Sequence, residues 1–229
     1  MEKLHNGFCL HICQGGFPLS TDSMALAGFV RMGKDAKILD LGSGCGTLGM
    51  LLCADNPHCT VTGIEIDPLA HETALYNAKT NALTGRLTSI CADLAKIDNL
   101  ILPGSFSVCV SNPPYFTGGI PHSTVPGARQ EGTCTMESLF HCAAKALKYG
   151  GDFYLVHRPE RLAELFACAV NNALEPKRLL LLRHRQDGPV TLVLVQCRKG
   201  GKPGLVWEEE CLFDASGAPT DYYRRLYHI

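Results

Sequence analysis

Lys37-Ile38-Leu39-Asp40-Leu41-Gly42-Ser43-Gly44-Cys45-Gly46 is the stretch that decides the fold. Its first five residues read as a buried strand, and the glycines that follow form a loop entering a helix through Leu48, Leu51 and Leu52. Glycines at such a turn let the backbone approach a ligand without side-chain interference. Working outward, Thr60 to Ile66, Arg86 to Cys91 and Phe106 to Ser111 read as further strands, with a helix between the first two that begins at Pro68 and runs through Ala70, Ala74, Tyr76 and Ala78. Strands alternating with helices predict a mainly parallel sheet covered on both faces, an α/β, Rossmann-like architecture.

The flanks follow the same logic. Ser20 or Thr21 caps an expected helix through Met24, Leu26, Ala27 and Val30 to about Gly33. Residues 116 to 134 are rich in Gly, Pro, Ser and Thr and read as a long loop beside the site. A helix through Leu139, Ala143 and Leu147 is expected to end at Gly150-Gly151, before a strand from Phe153 to Val156 and a helix from Pro159 to about Asn171. Arg178 to Leu182 and Val190 to Cys197, separated by Gln186-Asp187-Gly188-Pro189, predict an antiparallel hairpin at the C-terminal edge of the sheet. We expect one domain over 1–229: a flank with one helix (1–36), the core fold (37–203) and a tail (204–229).

Composition narrows the function classes. A chain of 229 residues that is 46% hydrophobic can bury a sizeable core. No apolar run reaches the ~18 residues of a membrane span, and the start lacks a secretory signal, so a soluble cytoplasmic protein is expected. A net charge of −1 argues against a chain coated in positive charge, although Arg183-His184-Arg185, Arg198-Lys199 with Lys202, and Arg224-Arg225 cluster late. The 12 cysteines mostly sit inside apolar runs and read as small core residues. Cys9 and Cys13, with His5 and His11, form the nearest approach to a metal motif, but four converging ligands are not evident and no metal is expected.

The glycine loop alone is ambiguous. Gly44-x-Gly46-x-x-Gly49 satisfies the dinucleotide fingerprint, and Glu65, at the end of the second strand, serves a ribose in either reading. For S-adenosylmethionine, Gly42, Gly44 and Gly46 line the cofactor, Asp40 holds its ammonium group and Asp93 accepts from its adenine amino group. The residues after the fourth strand, Asn112-Pro113-Pro114-Tyr115, favour that donor. An amino group conjugated to a ring or carbonyl is a poor nucleophile. The Asn112 oxygen and the Pro113 carbonyl can accept its two hydrogens and localise the lone pair, as Pro113 and Pro114 stiffen the backbone. Tyr115 offers a stacking face worth about 1–3 kcal/mol for a nucleobase. A hydride-transfer enzyme has no use for this motif.

With these residues, the chain resembles the class I amino-methyltransferases and, within them, the bacterial tRNA1(Val) adenine-37 N6-methyltransferase family. The resemblance runs from about Gln14 to Lys202 and includes Phe17 to Ser23, the glycine loop, Ile64-Glu65, Ser111 to Phe116, Arg129-x-Glu131, Leu155 to Leu162 and Glu175 to Arg178. It implies S-adenosylmethionine as cofactor and a structured RNA, tRNA foremost, as partner. It further implies Asp22 over the cofactor, Asn112 touching both cofactor and substrate, Phe116 beside the substrate, Arg129 and Glu131 at its entrance, and Arg158 and Arg161 on phosphates. No obligatory protein partner is called for. Rival substrates are a release-factor glutamine, whose enzymes usually carry a helical domain where only about 36 residues precede the first strand here, and duplex adenine, which requires base flipping. A binding module that keeps the cofactor without turnover is the rival from another class.

Overall fold

The computed structural model describes residues 1–4, 6–113 and 135–229, without the side chains of 98 and 99. A short ribbon, β1 (Glu2–Lys3) and β2 (Cys9–Leu10), precedes helix α1 (Thr21–Phe29). Then come β3 (Lys37–Leu41), α2 (Thr47–Asp55), β4 (Thr60–Glu65), α3 (Pro68–Thr80), β5 (Leu87–Cys91) and β6 (Phe106–Ser111). After the undescribed segment follow α4 (Met136–Ala146), β7 (Leu147–His157), α5 (Leu162–Asn171), β8 (Leu174–Arg185), β9 (Val190–Lys199), β10 (Val206–Phe213) and α6 (Asp221–Tyr227).

Eight strands form one sheet in the order β10-β8-β9-β7-β6-β3-β4-β5, and only β9 runs antiparallel to its neighbours. Successive side chains on a strand face opposite sides, so a sheet covered twice needs apolar residues at every position. β7 shows this: Tyr154 and Val156 pack into the layer containing α1, α2 and Leu226 of α6, whereas Phe153 and Leu155 pack into the layer containing α4 and α5. The chain order reverses between β3 and β6, which leaves a crevice at their C-terminal ends. No helix among the described residues is long and apolar enough to cross a membrane.

Several boundaries differ from the sequence expectation. α1 stops at Phe29 rather than near Gly33, because Val30 turns extended and the Tyr154 hydroxyl donates to the Arg31 carbonyl at 2.9 Å, holding the chain off its helical path. α4 ends at Ala146, not at Gly150-Gly151. Leu147 already pairs with Phe106 on β6, and the two glycines lie inside β7 at a register shift, where Gly150 has a φ of +76°. A 3-10 turn (Pro159–Arg161) precedes α5. The expected hairpin is β8–β9; the tail adds β10 parallel to β8, and α6, whose buried Leu226 meets Gly28 of α1.

Candidate cofactor and substrate site

The first wall of the crevice is the glycine loop. Gly42, Gly44 and Gly46 have φ of +75°, +53° and +82°, left-handed conformations that side-chain-bearing residues rarely adopt. A Cβ built on Gly42 or Gly44 would meet nothing within 4 Å, so the loop leaves open volume above it. Its backbone is tied down from below: Gly42 and Ser43 donate to the Ile64 carbonyl at 3.0 and 3.1 Å, and Gly44 donates to Glu65 Oε2 at 2.7 Å. The other Glu65 oxygen accepts from the Asp67 amide at 2.9 Å. Glu65 thereby couples the loop to the N-terminus of α3.

Asp40 is 2% exposed; its main chain pairs within the sheet, and among the described residues no hydrogen bond to its carboxylate is seen. Burial, reinforced by the nearby Glu65 charge, pushes its carboxyl up to about 7. Asp93 follows β5 and uses one oxygen to cap the next turn, accepting from the Ala95 amide at 2.9 Å. Asp22, in the first turn of α1, is half-buried; desolvation raises its pKa and the charge of Arg158 opposes the rise. The four carboxylates named from sequence thus stand at the C-terminal ends of β3, β4 and β5 and on the adjoining first turn of α1.

Asn112 leaves β6 beside them. Ser111 anchors the strand end by donating to the Leu41 carbonyl at 2.7 Å, and Pro113 is buried. The Asn112 amide nitrogen donates to Ser23 Oγ at 3.1 Å, and Ser23 Oγ lies 3.2 Å from Ser20 Oγ, the N-cap of α1. That bond uses the Asn112 nitrogen and not its side-chain oxygen. Pro114, Tyr115, Phe116, Arg129, Glu131 and the expected 116–134 loop lie outside the described residues, as does His5.

Two contributors escaped the sequence reading. Ser23 stands in the segment Phe17 to Ser23, which the resemblance singles out, but the partner of its hydroxyl is visible only in three dimensions. Asn77, fully buried on α3, donates to the carbonyls of His11 and Cys45, both at 2.9 Å, and accepts from the His11 amide at 2.9 Å. Asn81, one turn later, exchanges a similar pair of bonds with Cys9. The N-terminal arm is thereby fastened to α3 and to the glycine loop. The sulfur of Cys13 lies 3.4 Å from that of Cys45 in the glycine loop.

The basic residues divide. Arg161 forms an ion pair with Glu164, and Arg158 is exposed and donates to the Thr191 carbonyl at 3.2 Å. His157 is buried, with its Nδ1 accepting from the Arg158 amide, and burial pushes its pKa down. The arginines of the late clusters each stand beside a carboxylate, Arg183 by Glu209, Arg185 by Asp187, Arg198 by Asp152, Arg224 by Asp221 and Arg225 by Glu210, whereas Lys199 donates to the Leu147 carbonyl.

Residues 21–167 match the methyltransferase small domain family, a span that runs from the first turn of α1 through α4 and into α5. The chain belongs to that family. It is a methyltransferase, and its cofactor is S-adenosylmethionine. Among similar proteins is a tRNA1(Val) (adenine(37)-N6)-methyltransferase of Porphyromonas gingivalis, 33% identical over 149 residues, covering 63% of this chain and 58% of that protein. A protein of the same name from Vibrio parahaemolyticus is 28% identical over 226 residues, covering 96% of this chain and 91% of its own length. The crystal structure of a predicted O-methyltransferase from Agrobacterium tumefaciens has the same fold, with a TM-score of 0.76 at 22% identity over 91% of this chain and 96% of that one.

The strand ends of this methyltransferase suit that cofactor on their own chemistry. The ammonium group of its amino-acid end would suit a carboxylate without a cationic partner, such as Asp40, and its ribose would suit an acceptor at the end of the neighbouring strand, where Glu65 stands. The loop between them is open above Gly42 and Gly44.

Proposed function

We propose that this methyltransferase transfers a methyl group to the N6 amine of an adenine in a structured RNA, with tRNA as the substrate class. The observation that carries the reading is Asn112 at the end of β6: its amide nitrogen is anchored on Ser23, and that bond does not occupy its oxygen, which can serve as an acceptor. The names of the relatives support adenine in tRNA as the target.

In this reading Asp40 holds the cofactor's ammonium group, Glu65 its ribose hydroxyls and Asp93, through the oxygen not used in capping, its adenine amine. Asp22 closes over it from α1. When bound, S-adenosylmethionine supplies an electrophilic methyl group on a sulfonium. Asn112 Oδ1 and the Pro113 carbonyl accept the two hydrogens of the target amine, which draws its lone pair out of conjugation and aims it. Tyr115 stacks on the base, with Pro114 and Phe116 beside it. Arg129 serves the substrate entrance, and Arg158 and Arg161 the RNA backbone. No general base is required, because the product proton can pass to water after transfer. Residues 1–229 act as one catalytic unit.

Incubation with labelled S-adenosylmethionine and, separately, tRNA, rRNA, DNA and a release factor tests the substrate class. Label on tRNA, recovered as N6-methyladenosine, is the expected result. Label on the release factor alone makes the acceptor a glutamine amide, for which Asn112 serves the same purpose. No transfer to any of them returns the chain to a cofactor-binding module.

A further inference from the structure

α1 carries Ser23 and Asn112's anchorage at its N-terminal end, and spans roughly 13 Å at about 1.5 Å per residue. Beyond its other end, where Val30 turns extended, a cleft of about 430 Å³ opens on the same face of the sheet. It is lined by Arg31, Lys177, Arg178 and Arg198, with Asp152 the carboxylate among its lining residues. Arg198 already holds Asp152 through two bonds of 2.9 Å. That pair cancels, and of the other three cations Arg178 is partly offset by Glu208 at 3.6 Å, whereas Arg31 and Lys177 have no carboxylate partner among the described residues.

None of the three is fully matched. Arg31 has no carboxylate partner among the described residues, and its backbone is fixed at the rim by the Tyr154 hydroxyl, which donates to its carbonyl. Lys177 Nζ donates to the Lys202 carbonyl at 2.9 Å, a neutral acceptor. Arg178 lies over the Phe29 ring at 4.3 Å, donates to the Phe29 carbonyl, and reaches Glu208 at 3.6 Å on the exposed flank. Its Nε is buried with no hydrogen-bond partner. Burial and the Arg31 charge both press its pKa downward, as expected of a guanidinium kept from water beside a like charge.

We propose that this cleft is a second RNA contact, in which Arg31, Lys177 and Arg178 grip a backbone phosphate of the same substrate whose adenine enters beside Asn112. The inference rests on the RNA reading above. Guanidinium forks suit phosphate oxygens, and the cleft has room for a phosphodiester with its ribose. The separation along α1 exceeds what a single nucleotide covers, so the contact selects for a substrate with extended backbone. The surplus comes from Arg31 and Lys177; Arg183, Arg185, Arg224 and Arg225 each sit beside a carboxylate and leave none.

The test is tRNA affinity measured across a salt series for the wild type and for the double variant Arg31→Ala/Lys177→Ala, which leaves the Arg178 stack in place. The variant is expected to bind about 5- to 10-fold more weakly, and the slope of log K against log[salt] to shrink by about one. KM for tRNA should rise with kcat and cofactor affinity unchanged. Arg31→Lys should recover part of the loss. Unchanged affinity and slope, in a protein that still methylates tRNA, overturn the cleft alone; a wild type without RNA affinity overturns both the cleft and the RNA reading. Inorganic phosphate, followed by thermal shift, separates the sources. Saturable stabilisation abolished in the variant, together with unchanged tRNA affinity, would make this a small-anion site and overturn the RNA contact.

Discussion

The strand ends around the glycine loop and the C-terminal tail are both dense in charge, and they treat it oppositely. In the tail, carboxylates of β10 reach arginines of β8 and α6: Glu208 meets Arg178, Glu209 meets Arg183 and Glu210 meets Arg225. At the strand ends Asp40 is buried with no donor to its carboxylate among the described residues, and Glu65 accepts only backbone amides. Folding leaves a carboxylate without a cation at a cost, unless something else is to occupy the place. The contrast therefore separates charge that holds the chain together from charge that awaits a ligand.

The sharpest way to break this contrast is at Asn112. On the proposed mechanism Asn112→Ala removes an acceptor that acts on the developing transition state, and methyl transfer should fall by about 10²–10³-fold, with cofactor affinity nearly unchanged. Turnover with tRNA beside calorimetric cofactor binding measures both; near-normal turnover would sink the mechanism. Ser23→Ala should reproduce part of the kcat loss without a KM change for cofactor, since it frees the Asn112 amide to rotate.

Next in size is Glu65. Glu65→Ala removes the tether of Gly44 and, on the proposed assignment, an acceptor for ribose hydroxyls, so cofactor should bind about 10- to 100-fold more weakly, corresponding to ~1.5–3 kcal/mol for hydrogen bonds to a charged group. Glu65→Gln, which keeps one acceptor oxygen, should lose less. An unaltered dissociation constant for Glu65→Ala would remove the carboxylate from the cofactor site.

Asp40 gives a pH signature. Its folded pKa of about 7 lies above the ordinary 3.8, so the folded chain binds a proton more tightly than the unfolded chain does. Its contribution to stability is complete below about pH 4 and is lost as pH rises through 7. Cofactor binding runs the other way, because the ammonium group requires the carboxylate. Affinity should fall by up to about tenfold per unit below pH 7 and level off above it. Asp40→Asn should bind weakly and lose the dependence; a wild-type affinity flat from pH 5.5 to 8.5 would contradict the assignment.

Legibility in the sequence followed distance along the chain. β3 and β6 were read to the residue because each is a short apolar run closed by glycine or proline, which are local signals. That the glycine loop, Glu65 and Asn112 stand at strand ends is legible for the same reason, since each closes a short apolar run. Gly150-Gly151 misled, because glycines usually stop a helix and here they shape a bulge inside β7 that only pairing with β6 reveals. The Ser23 to Asn112 bond joins residues 89 apart, and Asn77 binds an arm 66 residues away; no local pattern encodes either. β10 was opaque because Glu208-Glu209-Glu210 looks like a solvated run until the arginines of β8 stand beside it.

The tail supplies the smallest effect and the control for the contrast. Arg183 and Glu209 are 3.2 Å apart, with side chains 30% and 54% exposed, so water screens their attraction. A double-mutant cycle on Arg183→Ala and Glu209→Ala, read by urea unfolding, should give a coupling of ~0.2–1 kcal/mol, diminished by salt. Cofactor affinity should not respond, because β10 meets the sheet at the edge opposite β5. A coupling well above that range would mean that the tail's charges are not mere fasteners. A change in cofactor affinity would mean that the tail acts on the site through α6, whose Tyr227 hydroxyl lies 2.9 Å from that of Thr21, next to Asp22.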